Sequence, residues 1–226
     1  MNPPRRVLDL YCCAGGATMG MIQAWPEAHV TGVDIKWQKN YCGHDFIQGD
    51  AIAVARRIGR KFDFIWASPP CQSYSAAMRH LAAPQPMLIE PLRELLLKLG
   101  VPWVIENVVG APLRNPLVLC GTMFGMRVHR HRLFESPFLP ASRPRCKVDK
   151  PVLNPHREES RQRIYAEFGR QDPEKLWGRE MGLTWMTRHE TREAIPPAYS
   201  RYIAEQYLLH SGENSSTLIA MQQSTK

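Results

Sequence analysis

The chain has no apolar run approaching the roughly 18 residues that a membrane-crossing helix needs. It has no C-x-x-C pair, no G-x-G-x-x-G, no internal repeat and no low-complexity block. Its start, MNPPRRVLDLYCC, lacks the layout of a secretion signal, because Gly15 and Gly16 soon interrupt the apolar run that begins at Val7. These absences give no sign of a spanning helix, a dinucleotide fingerprint or a disulfide framework. The expectation is a cytoplasmic protein whose six cysteines (12, 13, 42, 71, 120 and 146) stay reduced. Adjacent Cys12 and Cys13 are poor disulfide partners. Cys42 and His44 offer two zinc ligands, but free thiols and no metal are the favoured reading.

What the chain does have is positive charge, unevenly placed. The 226 residues carry a formal charge of +8, and the stretch from Arg127 to Arg170 alone holds 11 Lys and Arg against 5 Asp and Glu. Such a segment suits a polyanion, usually nucleic acid; a solvated basic loop is the alternative.

In the first half, short apolar runs alternate with amphipathic stretches. RRVLDLYC, HVTGVDI, DFIQGD, FDFIWAS and PWVIENV read as strands, and AGGATMGMIQAW, AIAVARRIG and PMLIEPLRELLLKLG as the helices between them. This alternation predicts βαβ units and a parallel sheet. PLVLCGTMFG and RVHRHRLFES add two further strand segments, and PPAYSRYIAEQYLLH has the form of a closing helix. After Phe134 the chain turns rich in proline and arginine and loses its periodicity.

Strand tips are where open α/β sheets place reactive groups. The first ends in DLYCCAGG, the second in GVDI and the third in GD, so glycine and two acids follow in the order a nucleoside site needs. The fourth runs into SPPCQ, where two prolines halt it and present Cys71. That thiol is a nucleophile, a metal ligand or a small apolar filler on these grounds alone.

From Val7 to about Tyr207 the ordered motifs resemble the cytosine-C5 DNA methyltransferase family. The match is carried by DLYCCAGG, GVDI, GD, SPPCQ, ENV at 106 to 108, RHR at 130 to 132 and the closing AIPPAYSRYIAEQ. The resemblance implies an S-adenosylmethionine-dependent methyltransferase (Rossmann-like) fold, mostly parallel, with helices on both faces and a small irregular insert. It implies a catalytic and cofactor-binding domain over 1–136, a reduced target-recognition insert over 137–178, a return to the catalytic domain over 179–210 and a disordered tail over 211–226.

The implied chemistry is a thiolate attack by Cys71 on C6 of a flipped-out cytosine, followed by methyl transfer to C5. Glu106 would act at N3, Arg132 at O2, and Arg130 would support the cysteine loop or a phosphate. A nearby positive field should lower the Cys71 pKa, and burial should raise that of Glu106. For the cofactor, the resemblance assigns Asp9, Tyr11, Gly15, Gly16, Asp34, Ile35, Trp37, Asp50, Pro69, Glu193 and Ala194. For duplex DNA it points to Ser73, Arg79, Arg143, Arg145 and Lys147. A monomer with no membrane partner is expected. The same chemistry on RNA or free nucleotides, or a silent binding homologue, are the alternatives.

Four departures stand out. Cys13 replaces a usual glycine, Val128 a usual glutamine, and Arg192-Glu193 a usual Gly-Asn. Glu193 would favour the ammonium of the cofactor and disfavour a variant with an extra carboxylate. The insert is also short, which suits a brief or relaxed target. Small enzymes of this kind resemble those of bacteriophages, with or without a partner restriction nuclease.

Overall fold

Consecutive residues of a buried strand point to opposite faces, so a strand apolar at every position must be covered on both sides. Val7–Leu8, Phe64–Ile65–Trp66–Ala67 and Val104–Ile105 are such runs, and each residue is essentially inaccessible. In the computed structural model, which describes residues 3–71, 87–139, 146 and 172–211, they form the centre of a seven-stranded sheet.

The elements run β1 (Arg6–Leu10), α1 (Gly16–Ala24), β2 (His29–Asp34), β3 (Asp45–Gln48), α2 (Ala51–Ile58), β4 (Phe64–Ala67), α3 (Ile89–Leu99), β5 (Trp103–Asn107), β6 (Leu117–Leu119) and β7 (Arg132–Glu135). Three helices follow: α4 (Pro173–Glu180), α5 (Arg188–Glu193) and α6 (Pro197–His210). The strand order is β3-β2-β1-β4-β5-β7-β6. The first five strands pair in parallel, and β7 runs antiparallel to both β5 and β6. This is the mostly parallel, Rossmann-like sheet with helices on both faces that the sequence leads one to expect.

The alternation sorts the core into two layers. Val7, Phe64, Trp66, Val104 and Phe134 pack with Met21 and Trp25 at α1 and with Tyr199, Ile203 and Tyr207 of α6. Leu8, Leu10, Ile65, Ala67 and Ile105 face the other way, onto Val54 of α2 and Leu92, Leu95 and Leu96 of α3. The closing helix lies directly on α1. A Cβ at Gly20 would stand 2.0 Å from the Pro197 carbonyl, so no other residue permits that approach.

Two expected strands are shorter than their apolar runs. PLVLCGTMFG keeps only Leu117–Leu119 as strand, with a 3-10 turn over Gly121–Phe124. In RVHRHRLFES pairing starts at Arg132, and Val128 is buried instead among Leu176, Trp177, Met181 and Leu183. The helix Pro173–Glu180 begins inside the range expected to be irregular insert. Its N-cap, Asp172, accepts from the Glu174 amide, and Pro173 fills the first turn. Residues 140–145 and 147–171 of the insert, and residues 212–226, lie outside the described residues.

One ion pair pins α3 to the sheet. Arg93 and Glu135 are both almost fully buried. Arg93 donates through Nε to Glu135 Oε1 at 2.6 Å and through Nη2 to Oε2 at 2.9 Å. It also pairs with Glu90. The Arg114 amide donates to Glu135 Oε2 at 2.7 Å. Removing one partner strands a buried charge. Arg93→Met should therefore cost about 3–5 kcal/mol in a urea unfolding titration, and Arg93→Met with Glu135→Met should recover much of that loss.

Candidate active site

The sheet's topology places the site. Successive crossovers run in one direction from β1 to β3 and in the other from β4, so the carboxyl ends of β1 and β4 part and leave a crevice. A pocket of about 590 Å³ fills it. Asp9, Tyr11, Asp34 and Asp50 line it from the first three strand tips, Cys71 from the fourth, Glu106 from the fifth and Arg132 from β7.

The turn carrying Cys71 is fixed from below. Asn107 at the end of β5 donates through Nδ2 to the Pro69 carbonyl at 2.9 Å, and its Oδ1 accepts from the Val108 amide. The Ser68 amide donates to the Leu10 carbonyl at 3.1 Å. Because prolines 69 and 70 lack N–H groups, they cannot extend the strand, and the chain turns the half-buried Cys71 into the pocket.

Glu106 is almost fully buried, and its Oε1 sits 3.2 Å from Arg132 Nε. Burial raises its pKa against the opposing pull of Arg132, a hydrogen bond with Ser68, and Arg130. This agrees with expectation. The Cys71 thiol does not. Its pKa is raised, because burial, with the Glu106 carboxylate adding to it, outweighs Arg132 and Arg130. The sequence leads one to expect a lowered thiol pKa, and the burial of Cys71 reverses that direction.

Arg130 also departs from expectation. It does not line the pocket but is buried behind it. Nη2 donates to the Arg192 carbonyl at 2.5 Å, and the guanidinium lies 5.3 Å from the Trp177 ring centroid. The Tyr199 hydroxyl donates to the Arg130 carbonyl at 2.6 Å. Burial and Arg132 push its pKa down to about 9, which leaves it protonated at neutral pH. Arg130 thus lies buried between β7 and the closing segment, while Arg132 lines the pocket together with Lys36 and Arg192.

The cofactor assignments sort as follows. Asp9, Tyr11, Gly16, Asp34, Ile35, Asp50, Pro69, Glu193 and Ala194 line one pocket. Asp34 accepts from the Cys13 amide at 3.1 Å and from the Lys36 amide at 3.0 Å, so it also shapes the turn it ends. Asp50 is exposed and N-caps α2 through the Ala53 amide. Gly16 meets the closing segment: a Cβ there would stand 2.6 Å from the Ile195 carbonyl. Gly15 and Trp37 do not line the pocket. Gly15 caps α1 at φ 88, and Trp37 is 67% exposed, edge-on to Phe46. Cys13, standing where glycine was expected, adopts φ 45, so the loop keeps its left-handed turn despite a side chain.

Sequence reasoning missed several supports. Trp185 donates to the Ala14 carbonyl at 2.9 Å and ties the closing segment to the glycine loop. Lys36, Gln38 and Leu88 line the pocket without belonging to any motif. Cys42 and His44 do not converge: Cys42 Sγ donates to the Gly15 carbonyl, and His44 Nδ1 accepts from the Val30 amide. Ser73, Arg79, Arg143, Arg145 and Lys147 lie outside the described residues.

No protein-family model matches the chain. It is 30% identical over 87 residues to a trans-aconitate 2-methyltransferase of Rhodopseudomonas palustris (strain BisB18), a match covering 36% of this chain and 33% of that protein. To the protein of the same name in strain BisA53 it is 25% identical over 146 residues, covering 55% and 56%. The chain thus spans a third to just over half of these relatives' length. Among solved structures, a predicted O-methyltransferase of Agrobacterium tumefaciens matches with TM-score 0.33 and 13% identity, covering 65% of this chain and 79% of that one. The MycE methyltransferase of mycinamycin biosynthesis, solved with Mg and SAH, matches with TM-score 0.32 and 17% identity, covering 73% and 48%. All four are named as methyltransferases, and none is named for a nucleic-acid substrate.

The Cys71 environment has a pH consequence. A raised thiol pKa leaves little thiolate at neutral pH, so alkylation of Cys71 should be slow there and accelerate well into the alkaline range. The Glu106 carboxylate opposes the thiolate, and Glu106→Gln removes that charge. The variant's alkylation profile, followed by peptide mapping, should shift to lower pH; an unshifted profile would separate the two groups electrostatically.

Proposed function

We propose that the chain is an S-adenosylmethionine-dependent methyltransferase acting at C5 of cytosine in DNA. The observation that carries this reading is one pocket holding a thiol, a buried carboxyl and its paired guanidinium beside three strand-tip acids.

The pocket fits the cofactor on its own features. Asp9 Oδ2 accepts from Thr18 at 2.5 Å, but Oδ1 is buried with no hydrogen-bond partner among the described residues, and so is the Tyr11 hydroxyl. Burial raises the Asp9 pKa to about 7. Buried polar atoms need partners, and the ammonium and hydroxyls of an amino-acid nucleoside supply donors for such atoms. Asp34 and Asp50 would hold the nucleoside side, and Asp9 with Glu193 the amino-acid side. S-adenosylmethionine, when bound, supplies an electrophilic sulfonium methyl.

The chain's own residues do the rest. Cytosine C5 is a poor nucleophile until a thiolate adds at C6. Cys71 gives up its proton to solvent and forms that S–C6 bond as the C5–C6 double bond opens, while protonated Glu106 donates to N3, taking the proton back on elimination, and Arg132 stabilises the charge at O2. C5 then takes the methyl, its proton leaves to water, and Cys71 is eliminated as the C5–C6 double bond reforms. One protonation state serves two ends. A neutral Glu106 can donate to N3, and it no longer opposes the Cys71 thiolate, leaving Arg132 to favour it. Arg130 holds the segment that positions Arg132.

The target cytosine must leave the duplex stack to reach this pocket. Ser73, Arg79, Arg143, Arg145 and Lys147 are the proposed DNA contacts, with 137–178 as a small target-recognition insert between the parts of the catalytic domain. The basic excess there supports phosphate contact and a short or relaxed target.

The curated relatives favour a second reading, transfer to trans-aconitate or a similar acid, whose carboxylates Arg132 and Lys36 would meet. An acid brings its own nucleophile and needs no thiol, which separates the two. Incubation with S-adenosylmethionine and unmethylated duplex DNA should yield 5-methyldeoxycytidine by nucleoside mass spectrometry. Cys71→Ala should yield none, and Glu106→Gln should lose on the order of 100-fold or more in rate. Methylated trans-aconitate with unmodified DNA, at a rate unaffected by Cys71→Ala, would establish the second reading instead.

A further inference from the structure

Three soft or borderline ligands meet outside the pocket. Cys120 follows β6 and is fully buried, His131 lies between the two arginines just before β7, and Cys146 stands beyond β7 in the basic stretch. Their Sγ and ring-nitrogen atoms all lie within 4.8 Å of one another, and His131 Nε2 is 3.0 Å from Cys146 Sγ. Residues 120, 131 and 146 come from three separate stretches, and packing alone gives no reason for two sulfurs and an imidazole to face one another there. We infer that these residues form a zinc site.

The chemistry of the set is selective. Two thiolates and a histidine suit a tetrahedral zinc ion, with Zn–S of about 2.3 Å and Zn–N of about 2.0–2.1 Å. Those lengths put neighbouring ligand atoms roughly 3.5–3.8 Å apart. The His131–Cys146 separation is 3.0 Å and none exceeds 4.8 Å, so the cluster needs adjustments of about an ångström. Zinc enters as the divalent cation, the two thiol protons leave to solvent, and a water takes the fourth position. No electron is transferred, and reducing conditions favour the site because they keep both sulfurs as thiols.

The site's place in the fold gives it a purpose. His131 is flanked by Arg130, which holds the closing segment, and by Arg132, which pairs with Glu106. Its carbonyl already accepts from Arg132 Nη1 at 2.9 Å. A metal on its ring would fix that stretch against β6 and anchor the start of the basic segment. The inference does not rest on the reaction the pocket performs.

The test uses the full chain, purified with a reductant and without chelator, and measures zinc by plasma mass spectrometry. About one zinc per chain is expected. Cys146→Ser, at the partly exposed position, should lose it, while a Cys42→Ser control keeps it. Cobalt(II) added to the metal-free protein should give a thiolate-to-cobalt charge-transfer band, absent in Cys146→Ser. A chelator should lower the melting temperature of the native chain but not of that variant. Less than about a tenth of a zinc per chain, before and after dialysis against zinc, would overturn the inference. So would equal zinc in Cys146→Ser, or a Cys120–Cys146 disulfide in the reduced preparation.

Discussion

Everything at this site depends on a carboxyl held almost out of water beside a guanidinium. Glu106 is next to last in β5, Arg132 begins β7, and the two strands pair antiparallel. Their side chains therefore reach the same end of the sheet from opposite chain directions. The ion pair draws the carboxyl toward ionisation while burial resists it, and burial prevails. A carboxyl whose pKa is raised keeps its proton to higher pH than a free one, which suits the acid role proposed for it. Cys71 inherits the balance, since Glu106 and Arg132 act on its thiol with opposite sign.

The frame around this pair is rigid for identifiable reasons. Asn107 donates to the Pro69 carbonyl and so ties the start of the cysteine turn to β5. The closing segment is fixed at three points: Gly20 under α6, Gly16 against Ile195, and Trp185 on the Ala14 carbonyl. Arg130 adds a fourth through Arg192 and is itself braced by Trp177 and Tyr199. Arg192 in turn pairs with buried Glu174 of α4. The last helices thus serve the first loop, although more than half the chain separates them.

Much of this was legible in the sequence because it follows from local rules. Apolar runs broken by glycine and acid gave five parallel strands in order, and Gly100 ended α3 at φ 70 as a cap should. The pocket residues could be named because strand tips in a doubly wound sheet share one edge. What failed was non-local. The inward turn of Arg130 depends on Trp177 and on a carbonyl 62 positions away. The thiol pKa depends on how deeply Cys71 sits, which no spacing reveals. PLVLCGTMFG looked like one strand because apolar residues continue past the last paired one, and only tertiary contact decides where pairing stops. The approach of Cys120, His131 and Cys146 has no motif at all, since each comes from a different segment.

The likeness to trans-aconitate 2-methyltransferases covers 36% to 55% of the chain, and the DNA reading is a proposal that rests on motifs spread from Val7 to about Tyr207. Both require a methyl donor in the same crevice, and they part over whether Cys71 bonds to the acceptor. The decisive measurement is therefore of that bond. Duplex DNA carrying 5-fluorodeoxycytidine at many positions, with S-adenosylmethionine, should stop the reaction after methyl transfer, because fluorine at C5 cannot leave as a cation. The account predicts a complex that survives denaturation, maps to Cys71 by peptide mass, and is missing with Cys71→Ala. No covalent complex with the native chain, under conditions where it transfers methyl groups to another acceptor, would contradict it.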